Sequence, residues 1–230
     1  KRKEQFEAAF INALNSNDVD PQYSGLLNLY DSLYDQLESV ALARDYFIEI
    51  AYRGVEIIKF ANKASKFIRS GGLEDLEKFK KSISGHFKNY DANTDALLFD
   101  ALLHKYHTDQ ADSEYLPAYF NGKMYTASEV FSKSYFVNQE NLEGLFNSSL
   151  KKIQKKLSKD PAFKVASALF GHYRDVIYAK YWALEDELDA IDRLYIKAMM
   201  EVLPDYRNYY PDANSTLRLT YGQVQGVSPI

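Results

Sequence analysis

The chain has 230 residues and a formal net charge of −4, within reach of one large domain or two small ones, and too acidic for a general polyanion-binding field. It contains no cysteine, which excludes disulfides, thiol nucleophiles and Cys-ligated zinc. No apolar run approaches the roughly 20 residues a membrane span needs, and no segment reads as a secretion signal. Rings are abundant, with 19 Tyr, 14 Phe and 1 Trp, so a sizeable core is feasible. The chain opens at Lys1 and stops just after Ser228-Pro229, and it is expected to continue into a longer protein at both ends.

Residues 1–14 read as an amphipathic helix, with Phe6, Phe10 and Ala13 or Leu14 at helical spacing. The polar run from Asn15 to Pro21 reads as a loop. From Ser24 the helical pattern is long: Leu26, Tyr30, Leu33, Leu37 and Val40 step by three and four, then Phe47, Ile50, Ile57 or Ile58, Ala61 and Ile68. Gly54 inside this run either allows close approach of another helix or marks a bend, and Ser70-Gly71-Gly72 ends it. A helix over 73–90, a break at Asp91-Ala92-Asn93-Thr94 and a helix over 95–107 follow.

Residues 108–125 read as irregular. Thr126-Ala127-Ser128-Glu129 has the spacing of a capping box, and short helices are expected over 138–147 and 149–157. Asp160-Pro161 places an N-cap and a first-turn proline ahead of the longest element. Its apolar positions follow a heptad, with Tyr181, Leu188, Tyr195 and Val202 on one seam position and Ile177, Leu184, Ile191 and Ala198 on the other. Gly171 is the expected interruption and Pro204 the end. The pattern changes after that. Pro211, Asp212 and Asn214 form a turn signal, and Ser215, Leu217, Leu219 and Tyr221 alternate with Thr216, Arg218 and Thr220 up to Gly222. The reading is an all-α, multi-helix bundle with long helices plus one C-terminal β-strand. A lone strand leaves its backbone groups unpaired, so this one points to a sheet elsewhere, or to pairing with a second copy.

The chemistry-bearing clusters are few. His104 and His107 share a helix face and precede Asp109 and Asp112, a set that could ligate a metal; the favoured reading is an exposed helix end without metal. Glu185, Asp186, Glu187, Asp189 and Asp192 read as a solvated acidic face, with Asp189 four residues before Arg193. Lys151, Lys152, Lys155, Lys156 and Lys159 form a basic face that also reads as solvated, so nucleic acid is not expected as a partner. No Walker loop, Gly-x-Ser-x-Gly elbow or His-Glu-x-x-His motif occurs, so no cofactor is expected. Tyr173, Tyr178, Tyr181, Tyr195, Tyr206, Tyr209 and Tyr210 crowd the C-terminal third, and some could line a peptide cleft; core packing fits the seam residues Tyr181 and Tyr195 better, whereas Tyr206, Tyr209 and Tyr210 fit both equally well.

The run Pro211-Asp212-Ala213-Asn214-Ser215-Thr216-Leu217-Arg218, continued by Thr220-Tyr221-Gly222, resembles the signature of the bacterial dipeptidyl-peptidase VII and XI family of serine exopeptidases. Weaker echoes are Ala43-Arg44-Asp45-Tyr46-Phe47, Gly54-Val55-Glu56, Ser132-Lys133-Ser134-Tyr135-Phe136 and Asp160-Pro161-Ala162-Phe163; the pattern departs at Val227, where the family has an aromatic. The resemblance implies two β-barrels with a helical domain inserted between them, and a Ser-His-Asp triad outside this span. Residues 1–204 would then be the inserted, cleft-capping domain, and residues 205–230 the hinge and first strand of the second barrel. Pro211, Asp212, Asn214 and Arg218 would mark that return, with no catalytic residue in the chain. The implied partners are a peptide substrate and the parent β-barrels, in the periplasm or at the cell surface. The alternative is a stand-alone helical binding or oligomerisation module, supported by the heptad; a second copy, as a homodimer, is a candidate partner.

Overall fold

The computed structural model describes residues 2–15, 19–111, 113–210, 215, 217, 219–224 and 226. In chain order the helices are α1 (Arg2–Leu14), α2 (Leu26–Ile48), α3 (Glu56–Lys63), α4 (Ser65–Ser70), α5 (Leu73–Lys80) and α6 (Ile83–Phe87). There follow α7 (Ala92–Asp109), α8 (Ala127–Phe131), α9 (Gln139–Leu145), α10 (Leu150–Ser158), α11 (Pro161–His172) and α12 (Tyr178–Val202). Two π-helical segments, Glu49–Gly54 and Tyr173–Ile177, join α2 toward α3 and α11 to α12. Among the described residues there is no strand. No helix among them is long and apolar enough to cross a membrane.

The chain forms two compact units, residues 1–26 with 190–230, and residues 27–189. In the first, Phe6 and Phe10 of α1 stack at 5.8 Å, and Phe10 meets Tyr195 edge-on at 5.0 Å. Phe6 also meets Tyr206 at 5.0 Å, so Tyr206 belongs to this aromatic cluster although it remains half exposed. The Tyr209 hydroxyl donates to the carbonyls of Met199 and Leu203 at 2.9 and 3.1 Å, satisfying acceptors at the C-terminal end of α12. Tyr23 is buried and donates its hydroxyl to Glu201. Tyr206 and Tyr209 therefore work in packing and helix closure, whereas Tyr210 is exposed.

The second unit is built around α3 and α11, which pack along each other through Ile58, Ala61, Val165, Ala166 and other buried apolar side chains. Helices α5, α7, α8, α9 and α10 add Leu76, Phe79, Phe99, Leu103, Val130, Leu142 and Ile153 to the same core. Burying such side chains stabilises by about 1.5–3 kcal/mol each. Helix ends are fixed by the local chemistry the sequence advertises. Thr126 and Glu129 close a reciprocal capping box, and Gly71 ends α4 in the left-handed region at φ 67°. Asp160 caps α11 with Pro161 at its first position.

Four expectations are corrected. The run from Ser24 to Ser70 is not one helix: it rewinds at Glu49–Gly54, passes an extended Val55, and restarts as α3 and α4. Residues 73–90 form α5 and α6, separated at Lys81-Ser82, where no proline or glycine signals a break. Helix α7 starts at Ala92, three residues early, because Asp91 accepts the Thr94 N–H at 2.7 Å and acts as its cap. The long C-terminal element changes winding at Tyr173–Ile177 rather than breaking at Gly171. The heptad is buried on one side only: Ile177, Leu184, Ile191 and Ala198 are buried, while Tyr181, Tyr195 and Val202 are half-buried beside buried Leu188.

The signature residues Pro211, Asp212, Asn214 and Arg218 lie outside the described residues. Of the alternating positions that are described, Leu217, Leu219 and Tyr221 are 92%, 84% and 99% exposed, so they do not dock on the helices.

Candidate functional site

The two π-helical segments create a groove. In the first, the Val55 N–H reaches back five residues to the Ile50 carbonyl at 3.1 Å; in the second, the Tyr178 N–H reaches the Tyr173 carbonyl. Each inserts an extra residue into a turn and shifts the side chains that follow, an irregularity frequent at functional sites. The two are joined by rings. Phe47 lies flat on Tyr173 with centroids 4.0 Å apart and meets Phe170 edge-on at 5.1 Å. Tyr52 meets Phe170 at 5.5 Å.

Beside this node opens a groove of about 630 Å³. Tyr52, Phe163, Phe170, Tyr173 and Tyr178 give it aromatic walls; Asn62, Ser65, Ser167, Arg69 and Arg174 give it polar groups. Gly171 lines it with open space where a side chain would begin. The Arg174 guanidinium is held by Asp175 through two bonds, of 2.6 and 2.8 Å, whereas Arg69 has no ion-pair partner among the described residues. Burial pushes the Tyr173 hydroxyl up and the neighbouring His172 imidazole down from their usual ranges, so Tyr173 stays protonated at neutral pH. Rings, an amide, hydroxyls and a cation together suit an extended peptide, whose side chains rest on rings and whose backbone needs hydrogen-bond partners. Among the described residues no serine is hydrogen-bonded to a histidine.

Gly54 sets the depth of the node. A β-carbon there would lie 2.6 Å from the Glu49 carbonyl oxygen and 2.6 Å from Leu102 Cδ1. Close approach and a bend thus coincide at this position, since Gly54 also ends the π-helical segment. Helix α7, which carries Leu102, supplies Asp95 as well; its buried carboxylate accepts the N–H groups of Glu56 and Ile57 at 2.6 and 2.9 Å and holds the start of α3.

The clusters singled out from the sequence fall elsewhere. His104 Nδ1 is 3.2 Å from Met124 Sδ, and His107 Nε2 is 3.2 Å from the Phe120 carbonyl oxygen. Asp109 is engaged by Lys105 at 2.6 Å and by the Tyr46 hydroxyl. Asp112 lies outside the described residues, and among the described residues no set of three or more His, Asp or Glu is gathered as for a metal. The acidic residues Asp186, Glu187, Asp189 and Asp192 are exposed on α12, and Glu185 is half-buried beside Tyr181. Of the groove residues, Tyr173 and Tyr178 belong to the tyrosine-rich stretch read from the sequence as able to line a peptide cleft; the others were not singled out for a site.

Comparison with known proteins covers the whole chain. The Peptidase S46 family profile matches residues 1–230. An Asp/Glu-specific dipeptidyl-peptidase from Flavobacterium psychrophilum is 31% identical over 236 aligned residues, which span 99% of this chain and 33% of that protein. A dipeptidyl-peptidase 7 from Capnocytophaga gingivalis is 25% identical over 239, spanning 98% of this chain and 32% of its own length. One from Porphyromonas gingivalis is 25% identical over 239, spanning 99% and 33%. The chain therefore spans about a third of the length of the curated relatives it matches.

Proposed function

The chain belongs to the peptidase S46 family, and from that premise we propose that it is the helical, non-catalytic part of a serine-type dipeptidyl-peptidase, an exopeptidase releasing dipeptides from free peptide N-termini. The observation that carries this reading is the match over the full chain to relatives three times as long, with helices as the regular structure of the described residues from Arg2 to Val202. Its role is mechanical. An exopeptidase must block its cleft beyond the second residue, and a helical cover over the cleft does this while excluding water from the reacting bond. Residues 205–230, with the signature Pro211, Asp212, Asn214 and Arg218, lead from this cover into a β-barrel of the intact enzyme as hinge and first strand. The exposure of Leu217, Leu219 and Tyr221 is consistent with side chains whose packing partners lie in that barrel. The aromatic groove beside Phe170 and Tyr173 is the surface of the cover best suited to peptide. We propose the periplasm or the cell surface as its location, by the family resemblance.

The test is an assay of this chain by itself on fluorogenic dipeptidyl substrates. No turnover is expected. Turnover that is lost when one serine of this chain is changed to alanine would overturn the reading.

A further inference from the structure

Several lysines of the chain find carboxylates. Lys66 pairs with Asp75, Lys78 with Glu74, Lys80 with Glu77, Lys105 with Asp109, Lys123 with Glu129 and Lys180 with Glu114. Five others do not. Lys152, Lys155, Lys156 and Lys159, on and just after α10, are brought together with Lys133 from the turn after α8 around one cleft of about 540 Å³. Among the described residues none of the five has a carboxylate within ion-pairing distance, although the chain carries 32 Asp and Glu. The one acid lining the cleft, Asp160, is buried, and its oxygens are taken by the Ser134 hydroxyl and the N–H groups of Tyr135 and Ala162. The rest of the lining is the Tyr135 ring and Pro161. Lys156 Nζ stands 5.3 Å from the centroid of that ring.

Five like charges held in one concavity repel one another unless a counter-charge enters. The cleft is more than a face of one helix, since Lys133 and Tyr135 join it from the turn after α8 and Pro161 from the start of α11. The ammonium groups are point charges on flexible stems, without the planar fork that selects a single carboxylate or phosphate. Such a site favours several closely spaced negative charges on a flexible chain, with the alkyl stems, Tyr135 and Pro161 against its methylene groups. We propose that this cleft holds an acidic peptide stretch, several Asp or Glu side chains in succession, at a site separate from the aromatic groove. The choice of peptide over another polyanion rests on the peptidase reading; the cleft itself does not.

The probe is a fluorescein-labelled hexaglutamate with a blocked N-terminus, titrated with this chain and read by fluorescence anisotropy. Expected is saturable binding at low salt that weakens by about tenfold or more between 50 and 300 mM salt, as screening of exposed charges requires. Lys152→Glu with Lys156→Glu should weaken it by about tenfold or more, while Lys151→Glu with Lys164→Glu, an equal change of net charge outside the cleft, should weaken it by less than about threefold. Both pairs are exposed, and a circular dichroism melt confirms folding. Absence of saturable binding at 50 mM salt, or equal loss in both pairs, overturns the proposal. So does binding of labelled tripolyphosphate without binding of hexaglutamate, which would make the cleft a phosphate site. The readout involves no catalysis. Failure here leaves the peptidase reading standing, and failure of that reading leaves a measured hexaglutamate affinity intact.

Discussion

The Ser134 hydroxyl donates to the Asp160 carboxylate at 2.8 Å, joining two stretches 26 residues apart that each carry part of the family resemblance. Ser134 also accepts the Phe136 N–H at 3.1 Å, and Asp160 accepts the N–H groups of Tyr135 and Ala162 at 2.7 and 2.9 Å. One buried carboxylate thus caps α11 and pins the 3-10 turn Tyr135–Val137 beside it. Burial lifts its pKa above the usual carboxylate range, and the donors around it pull the other way. The resemblance in these stretches therefore reflects a structural joint.

Removing either partner leaves buried groups unsatisfied. Asp160→Ala is expected to cost about 3 kcal/mol or more and Ser134→Ala about 1–2 kcal/mol, since each orphaned buried polar group costs about 1–3 kcal/mol. The double variant should cost less than the sum, because the two share one network. Urea denaturation of the four proteins measures this. Additive losses would show that the two residues act independently.

Gly54→Ala should destabilise by about 1–3 kcal/mol, because the new methyl group meets the Glu49 carbonyl and Leu102 at 2.6 Å and neither backbone nor core can yield freely. Gly171→Ala, where the added carbon meets open space, should be neutral or stabilising. Thermal melts of the pair check the contrast; equal melting temperatures would contradict the close packing at Gly54.

His86 stacks on Phe60 with centroids 3.9 Å apart, and its Nε2 is buried without a hydrogen-bond partner. Burial, with a smaller push from Lys63, lowers its pKa from the usual 6.5 to about 4. The folded chain refuses a proton that the unfolded chain accepts. Stability from this residue is therefore complete above about pH 6.5 and is lost as pH falls toward about 4. Carboxylates and His172 titrate nearby, so the test is a comparison. His86→Phe keeps the stack and should show a shallower fall in melting temperature from pH 6.5 to 4 than the parent. Parallel curves would mean that His86 is protonated in the fold.

Local chemistry was legible and longer-range geometry was not. Asp160-Pro161, the Thr126 box and the Ser70-Gly71-Gly72 stop act within a turn of chain, so their residues announce them. A π-helical turn adds one residue to a period of 3.6, and apolar spacing absorbs that shift within a single turn, which is why Glu49–Gly54 and Tyr173–Ile177 read as continuous helix. At the break at Lys81-Ser82 the Ser82 N–H and hydroxyl both turn back to the Phe79 carbonyl, at 2.9 and 2.7 Å, and a serine inside a helical pattern does not announce that. The aromatic groove and the lysine cleft each gather residues from distant stretches, and only the fold shows that Lys133 stands beside Lys159 or Phe47 against Tyr173.

The central claim is that this region covers the substrate cleft of a dipeptide-releasing enzyme. Hydrogen–deuterium exchange on the full-length enzyme, with and without a saturating dipeptide product, tests it most directly. The account predicts slower exchange within residues 1–204 when the dipeptide is bound, strongest around the groove lined by Tyr52, Phe170 and Tyr173. Exchange unchanged throughout this region, with protection confined to the rest of the enzyme, would contradict it.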